Sequence, residues 1–329
     1  MKILIIQTAF IGDVILATSL IEKLIFFYPN AEIDFLVRRG NESLLKGHPF
    51  IGECLVFDKS KAKYTNLFRI IRKIRSKKYT YVLNAQRFFT TGLITVLSGA
   101  KYKIGYDKNP LSFLFSSKVK HEIGEKNYAH EINRNQLLIQ TITNEGAEMP
   151  KLYPSADDFN KVKVYKSSAY ICIAPTSVWY TKQFPLNRWI DFINQLDESI
   201  QIYLLGAPSD AQVCEKIIRT TSHKLILNLA GKLSLLASAA LMKDSEMNYV
   251  NDSAPMHLAS AMNAPVCAIY CSTVPSFGFG PLSTNAHVVE VEEKLDCRPC
   301  GLHGYPTCPK GHFNCANKIN IDKLVAIMS

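Results

Sequence analysis

The chain has no run of about 18 uncharged apolar residues, so nothing in it reads as a bilayer-spanning helix. Lys2 and the apolar residues after it resemble the start of a secretory signal. However, Asp13 interrupts the run, and no small-residue cleavage site precedes Glu22 and Lys23. A cytoplasmic protein is expected, attached peripherally if it meets a membrane at all. The common nucleotide signatures are also missing. There is no G-x-x-x-x-G-K-[ST], and no G-x-G-x-x-G follows the first apolar segment. "GFGPLS" at Gly278 is half of such a motif, in the wrong place and broken by Pro281. No D-x-D acid pair is present to hold a divalent metal on a diphosphate. A nucleotide bound here would have to be held by hydroxyls, a cation and helix N-termini.

What is present is a soluble globular composition, 47% hydrophobic and 20% charged, over 329 residues. That length suits two domains of about 150 residues each. An excess of 38 Lys and Arg over 28 Asp and Glu gives a formal charge of +10 and favours an anionic partner. Short β-type runs alternate with helical patterns: "KILII", "EIDFLV", "ECLVF", "YTYVLN" and "YKIGY" before a polar pause near residue 155. After the pause come "AYICIAP", "IQIYLLG", "LILNLAG", "MNYV" and "PVCAIYC". Two such series predict an α/β protein with two doubly wound, Rossmann-like domains, 1–155 and 156–329, the second closing in a terminal helix.

Three segments invite a chemical reading. In "MKILIIQTAFIGDVI" a buried strand over Lys2–Ile6 meets a helix beginning near Val14, with Gly12 and Asp13 at the junction. Asp13 is either a helix N-cap or an acid at the carboxyl end of a parallel strand, where open α/β sheets bind ligands. "PTSVWYTKQFP" puts Thr176, Ser177 and Lys182 on a loop leaving a strand, either an ordinary polar loop or a cradle for a pyrophosphate. "MNYVNDSAPMHLASAM" puts Asp252 and Ser253 between a strand and a helix whose first N–H groups would face an anion, with His257 on its first turns. The helix "YTNLFRIIRKIRSKKY" buries Leu67, Ile70, Ile71 and Ile74 at helical spacing. Its remaining face is basic, including Arg72, Lys73 and Lys77, and none of its sixteen residues is acidic. That face is either solvated or directed at an anion. A nucleic-acid role is not expected, because no nucleic-acid fold pattern accompanies the charge.

Taken in order, these pieces resemble the ADP-heptose:lipopolysaccharide heptosyltransferases, glycosyltransferase family 9. The resemblance rests on "IIQTAFIGDVILATSLIEKL", "LNAQRFFTTGLITVLSGAKYKIGYDKN", "HEINRNQLL", "APTSVWYTKQFP", "NLAGKLSL" and "NDSAPMHLASAMNAPVCAIY". It implies a GT-B fold: two Rossmann-like domains facing across a cleft, the first taking the acceptor and the second the nucleotide-diphosphate sugar. It further implies inverting transfer of heptose or a related sugar from an ADP-heptose-like donor to an anionic lipid-linked saccharide at the inner membrane, with no cofactor for catalysis. On this resemblance Asp13 is the general base, and Lys182 acts on the departing diphosphate. Gly12, Thr176, Ser177, Lys182, Asp252, Ser253 and His257 bind the donor, and Arg72, Lys73, Lys77 and Arg87 face the acceptor. Ala254 stands where the family usually has Gly, which tolerates positive φ better. A GT-B-fold nucleotide-sugar epimerase, or a non-catalytic nucleotide-binding protein, are the other readings.

Five cysteines (Cys54, Cys172, Cys214, Cys267, Cys271) read as core residues. Cys297, Cys300, Cys308 and Cys315, spaced C-x₂-C-x₇-C-x₆-C, predict a structural Zn or Fe site. Two disulfides are the alternative, disfavoured by a reducing cytoplasm. Some heptosyltransferases related to the family carry a four-cysteine metal finger.

Overall fold

The structure, a computed structural model, describes residues 1–59, 63–124 and 129–328. The chain divides into two compact units, Met1–Tyr153 and Pro154–Ser329.

The first unit contains strands β1 (Lys2–Ile6), β2 (Glu32–Arg38), β3 (Ile51–Phe57), β4 (Tyr81–Asn84), β5 (Tyr102–Tyr106) and β6 (Ser117–Val119). Its helices are α1 (Ile11–Phe27), α2 (Lys63–Ser76), α3 (Phe89–Leu97) and α4 (Glu131–Gln136). The strands are all parallel, in the order β3-β2-β1-β4-β5-β6. A central parallel strand is covered on both faces, which is why β1 is a continuous apolar run. Ile3, Leu4, Ile5 and Ile6 are all fully buried. Helix α1 is enclosed nearly all round from Val14 to Leu24. Inside it, the hydroxyls of Thr18 and Ser19 donate to the carbonyls of Ile15 and Leu16, so neither is left unpaired. Helix α2 lays Leu67, Ile70, Ile71 and Ile74 onto Leu4, Leu36, Leu55 and Phe57 in one core cluster.

The second unit repeats the plan with β7 (Tyr170–Ala174), β8 (Gln201–Leu204), β9 (Ile226–Asn228), β10 (Met247–Asn251), β11 (Val266–Tyr270) and β12 (Ala286–Glu290). Its helices are α5 (Ala156–Val162), α6 (Leu186–Ile193), α7 (Ala211–Thr220), α8 (Leu235–Lys243), α9 (Ala254–Ala261), α10 (Asn314–Asn317) and α11 (Ile321–Val325). The order β12-β11-β10-β7-β8-β9, again all parallel, is the same doubly wound winding. Residues from the cysteine-rich tail join this core: Phe313, Cys315, Ala316, Ile319, Ile321 and Leu324 pack with Trp189, Phe192 and Tyr249. No described helix is long and apolar enough to cross a membrane. The edge strands β6 and β12 are additions to the sequence expectation. Both are short, and β12 shows solvent three of its five residues, so neither carries the apolar run of a central strand.

The packing of α2 sets a direct test. Ile74→Ala should destabilise the first unit by about 2–5 kcal/mol, the range for emptying a buried aliphatic site. Arg72→Ala, on the exposed face of the same helix, should cost less than about 0.5 kcal/mol. Thermal melts of the two variants decide it.

Candidate functional site

In each unit the order of strands reverses at one place, between β1 and β4 and between β7 and β10. Chains leaving adjacent strands in opposite directions open a crevice at the strands' carboxyl ends. Of the residues singled out from sequence, Gly12 and Asp13 follow β1, Thr176, Ser177 and Lys182 follow β7, and Asp252, Ser253 and His257 follow β10, all at these two points.

In the first unit, Asp13 is the third residue of α1, and the N-cap is Phe10 in extended conformation. The N-cap reading of Asp13 is therefore corrected. Its carboxylate instead accepts from the backbone N–H groups of Phe10 and of Asp13 itself, a reach back over the helix start. Burial and then the charge of Glu131 push the Asp13 carboxyl up to about 6, against the backbone hydrogen bonds and His121. Glu131 opens α4 and is buried. His121 Nε2 lies 3.1 Å from its Oε1, and Arg134 Nε donates to its Oε2 at 2.6 Å. Burial works to raise the Glu131 carboxyl, but His121 and Arg134 outweigh it and hold it below the usual range. The Tyr106 ring lies 4.2 Å from that of His121, tilted by 40°, and its hydroxyl donates to Asn135 Oδ1 at 2.5 Å. Beneath Asp13's helix the ends of β1 and β4 are tied by buried amides, Gln86 donating to Gln7 and Gln7 donating to the Ala85 carbonyl at 3.0 Å. Gly12 is the second residue of α1 and half-buried.

The expected acceptor residues divide. Lys77 Nζ pairs with Asp34 at 2.6 Å and with Glu53 at 2.5 Å, and Lys73 also pairs with Glu53. The acids come from β2 and β3, outside the sixteen-residue window, so the helix's charge is partly answered by the sheet beside it. Tyr79 donates to the same Asp34 oxygen as Lys77. Lys73 and Lys77 thus stand paired with acids rather than alone on the helix face. Arg72 is exposed on a face that also presents Tyr64 and Phe68 to solvent. Arg87 is exposed on the loop after β4, its guanidinium 6.0 Å from the Phe88 ring.

In the second unit the loop after β7 carries Thr176 and Ser177, both half-buried, and ends in a tight turn over Tyr180–Lys182. Asn251, the last residue of β10, ties that loop down. It accepts from the Phe184 N–H at 2.8 Å and donates to the carbonyls of Ala174 and Thr176 at 3.2 and 3.3 Å. Lys182 Nζ lies 2.6 Å from Asp252 Oδ2, and the Thr273 hydroxyl donates to the same oxygen at 2.6 Å. The two loops thus converge on one ion pair. Because a carboxylate repels a diphosphate, Asp252 fits the task of aiming the ammonium better than that of touching phosphate. Ser253 is the N-cap of α9, its hydroxyl turned back to the Asn251 carbonyl at 3.3 Å, which leaves the first backbone N–H groups of the helix uncapped by that side chain. His257 is buried within α9. Ala254 begins that helix and does not have a positive φ, so replacing Gly there brings no left-handed strain. Asn251 stands with Asp252 and Ser253 in the strand-to-helix segment picked out from sequence, whereas Thr273, Glu131 and His121 are neighbours that sequence reasoning did not name. Only their positions after strands or within "HEINRN" hinted at them.

Four of the five scattered cysteines are buried as expected; Cys54, on β3, is half-buried. All nine cysteines are free thiols, so the disulfide alternative is not formed. Nor is the expected metal group. Among the described residues, no three His, Cys, Asp or Glu side chains are placed to hold a metal ion. Cys300 Sγ turns to the Cys297 carbonyl at 3.1 Å, Cys297 Sγ lies 3.9 Å from His312 Nε2, and Cys315 is sunk in the apolar core. Burial first, then the neighbouring thiol of Cys300, pushes the Cys315 thiol up to about 12. As placed, the four sulfurs do not fit a tetrahedral site, and no step below depends on one.

These features have close counterparts among known proteins. The model of glycosyltransferase family 9 (heptosyltransferase) matches residues 67–303, a span that holds the loops after β7 and β10 and begins after Asp13. Lipopolysaccharide heptosyltransferase 2 of Escherichia coli K12 is 24% identical over 315 residues, covering 88% of each chain. The solved structure of E. coli ADP-heptose lps heptosyltransferase II superposes with a TM-score of 0.79 at 22% identity, over 100% of this chain and 98% of that one. E. coli heptosyltransferase WaaC, solved with ADP, gives 0.77 at 19% identity over the whole of both chains. With the two doubly wound units of a GT-B fold and a family match across most of its length, the chain belongs to glycosyltransferase family 9, the heptosyltransferases.

Proposed function

We propose that this glycosyltransferase moves heptose from ADP-heptose, with inversion, onto an anionic lipid-linked saccharide of the lipopolysaccharide core, working in the cytoplasm at the membrane surface. The observation that carries the reading is the Lys182–Asp252–Thr273 set at the second unit's switch point, a fixed ammonium beside an uncapped helix start. Thr176 and Ser177 supply hydroxyls to the same phosphates, with Ser253 and the Ala254 N–H; Pro255 has no N–H, and the Met256 N–H is given to the Ser253 carbonyl. Asp252 holds the ammonium, and His257 supports the helix from within.

Asp13 is the base in this reading. An acceptor hydroxyl gives its proton to the Asp13 carboxylate as its oxygen attacks the anomeric carbon from the face opposite the phosphate. The bond from that carbon to the phosphate oxygen breaks, and ADP leaves with its new charge on Lys182. A carboxyl near pKa 6 is a stronger base than an ordinary Asp and is still mostly ionised at neutral pH. Gly12, beside it without a side chain, leaves room for the acceptor. The family match favours transfer over the epimerase reading, and the intact ion pair favours an active enzyme over a vestigial one. For the membrane-facing acceptor we assign Arg72 and Arg87 rather than the paired Lys73 and Lys77.

Lys182→Ala should weaken ADP binding by about 1.5–3 kcal/mol, the worth of a hydrogen bond to a charged group, and unchanged affinity by calorimetry would remove the donor assignment. Asp13→Asn should cut turnover by about 10²–10⁴ while ADP affinity stays. The wild-type rate should rise with pH through about 6 as the base ionises. The stability effect has the opposite sign. The folded pKa is raised from 3.8 to about 6, so stability is fully present below pH 3.8 and is lost as pH rises through 6, by about 3 kcal/mol. Asp13→Asn should therefore melt higher than wild type at pH 8 and not at pH 4; equal melting at both would deny the raised pKa. Finally, Arg72→Glu should raise the KM for a membrane-embedded acceptor and its salt sensitivity without changing ADP affinity. Normal kinetics would return that face to plain solvation.

A further inference from the structure

The residue next to Lys182 is a junction for a segment far along the chain. The Thr181 N–H donates to the Tyr305 carbonyl at 3.1 Å, and the Tyr305 N–H donates to Thr181 Oγ1 at 2.7 Å. Ser272 joins them. Its hydroxyl donates to Thr181 Oγ1 at 3.0 Å, and its N–H donates to the Thr181 carbonyl at 3.2 Å. The same distant segment grips the loop after β11 directly. The Cys300 N–H donates to the Ser272 carbonyl at 2.8 Å. The Arg298 guanidinium donates to the carbonyls of Cys271 and Thr273 at 2.8 and 2.7 Å and pairs with Glu290 at 2.5 Å.

Residues 298–305 are therefore bonded to the immediate neighbours of both groups that meet on Asp252: Thr181 beside Lys182, and Ser272 beside Thr273. The approach is close enough to dictate a residue type. Gly304 has φ +75°, and a Cβ there would lie 2.8 Å from Thr181 Oγ1, 3.2 Å from Ser272 Oγ and 3.3 Å from Lys182 Cγ. Neither the backbone conformation nor the space admits a side chain.

We propose that residues 298–305 form a strap that positions the Lys182 ammonium for the donor diphosphate, with Gly304 and Arg298 as positioning residues. Lysine loses much side-chain freedom when it is fixed on a ligand, and Lys182 stands on a turn of only three residues. A strap that fixes this turn before the donor arrives lowers the ordering cost of binding. It also gives the cysteine-rich tail a role without any metal: Cys297 and Cys300 flank Arg298 and Pro299, so the tail's path over the core delivers the strap to the donor loops.

This inference rests on the donor-site reading, and the test separates the two. ADP affinity is measured by calorimetry for wild type, Gly304→Ala, Lys182→Ala and the double variant, with acceptor KM for each active form. Gly304→Ala should weaken ADP binding roughly tenfold, the loss expected when a charge-assisted contact is weakened. Acceptor KM should not move. In the Lys182→Ala background the same change should cost less than about twofold, because the ammonium it positions is gone. Arg298→Lys, which keeps the charge and loses the fork, should show the same split, and it decides the matter if Gly304→Ala does not fold. Full ADP affinity in both single variants, or an equal loss with and without Lys182, overturns the strap. Unchanged ADP affinity in Lys182→Ala overturns the donor site and the strap together.

Discussion

One constraint organises both halves of this protein: a parallel sheet wound in two directions from its middle. Where β1 meets β4 and where β7 meets β10, the connecting segments depart to opposite faces, and the carboxyl ends of the strands remain uncovered by helix. Polar groups can stand there, even buried, with polar partners from the neighbouring strand ends. Asp13, Gln7 and Gln86 lie at the first such point, and Lys182, Asp252 and Thr273 at the second. The apolar strands and the enclosed helix α1 make the frame rigid enough for these groups to be held rather than merely present.

At both points a charge is held by its neighbours. Asp252 is a buried acid whose single oxygen Oδ2 takes both the Lys182 ammonium and the Thr273 hydroxyl, so removing the lysine leaves an uncompensated buried charge as well as an empty binding position. Asp13 sits within the field of a second carboxylate, Glu131, which is itself neutralised in part by His121 and Arg134. The same chemical type serves opposite ends. One acid is paired with a cation and a hydroxyl, and the other is made more basic by burial and a like charge. Environment decides which, as with other paired carboxylates in enzymes.

Much of this was legible from residue patterns, and the exceptions have physical reasons. Apolar runs marked the central strands because both of their faces are covered; β6 and β12 escaped because edge strands need no such run. The stripe Leu67–Ile70–Ile71–Ile74 gave the buried face of α2, but the pairing of its basic face was not legible, because Asp34 and Glu53 reach it from other elements. A window on one helix contains no information about the sheet beside it. Asp13 drew notice by its place after a strand, whereas its N-cap reading failed because α1 begins at Ile11, three residues earlier than its apolar pattern suggests. Thr273 and Arg298 were invisible for a stricter reason. Their importance lies wholly in contacts between segments 20 or more residues apart. The cysteine spacing pointed to a metal, yet among the described residues no three His, Cys, Asp or Glu side chains are placed to hold one, and the tail is anchored through Arg298, Cys300 and Tyr305.

The most direct test of the whole account is product analysis with ADP-heptose and a lipid-linked core saccharide. The account predicts that one ADP is released for each heptose transferred and that the anomeric configuration in the product, read by NMR, is opposite to that of the donor. Little conversion of the sugar nucleotide should occur without the acceptor. A retained configuration, or a sugar nucleotide altered in the absence of any acceptor, would contradict it.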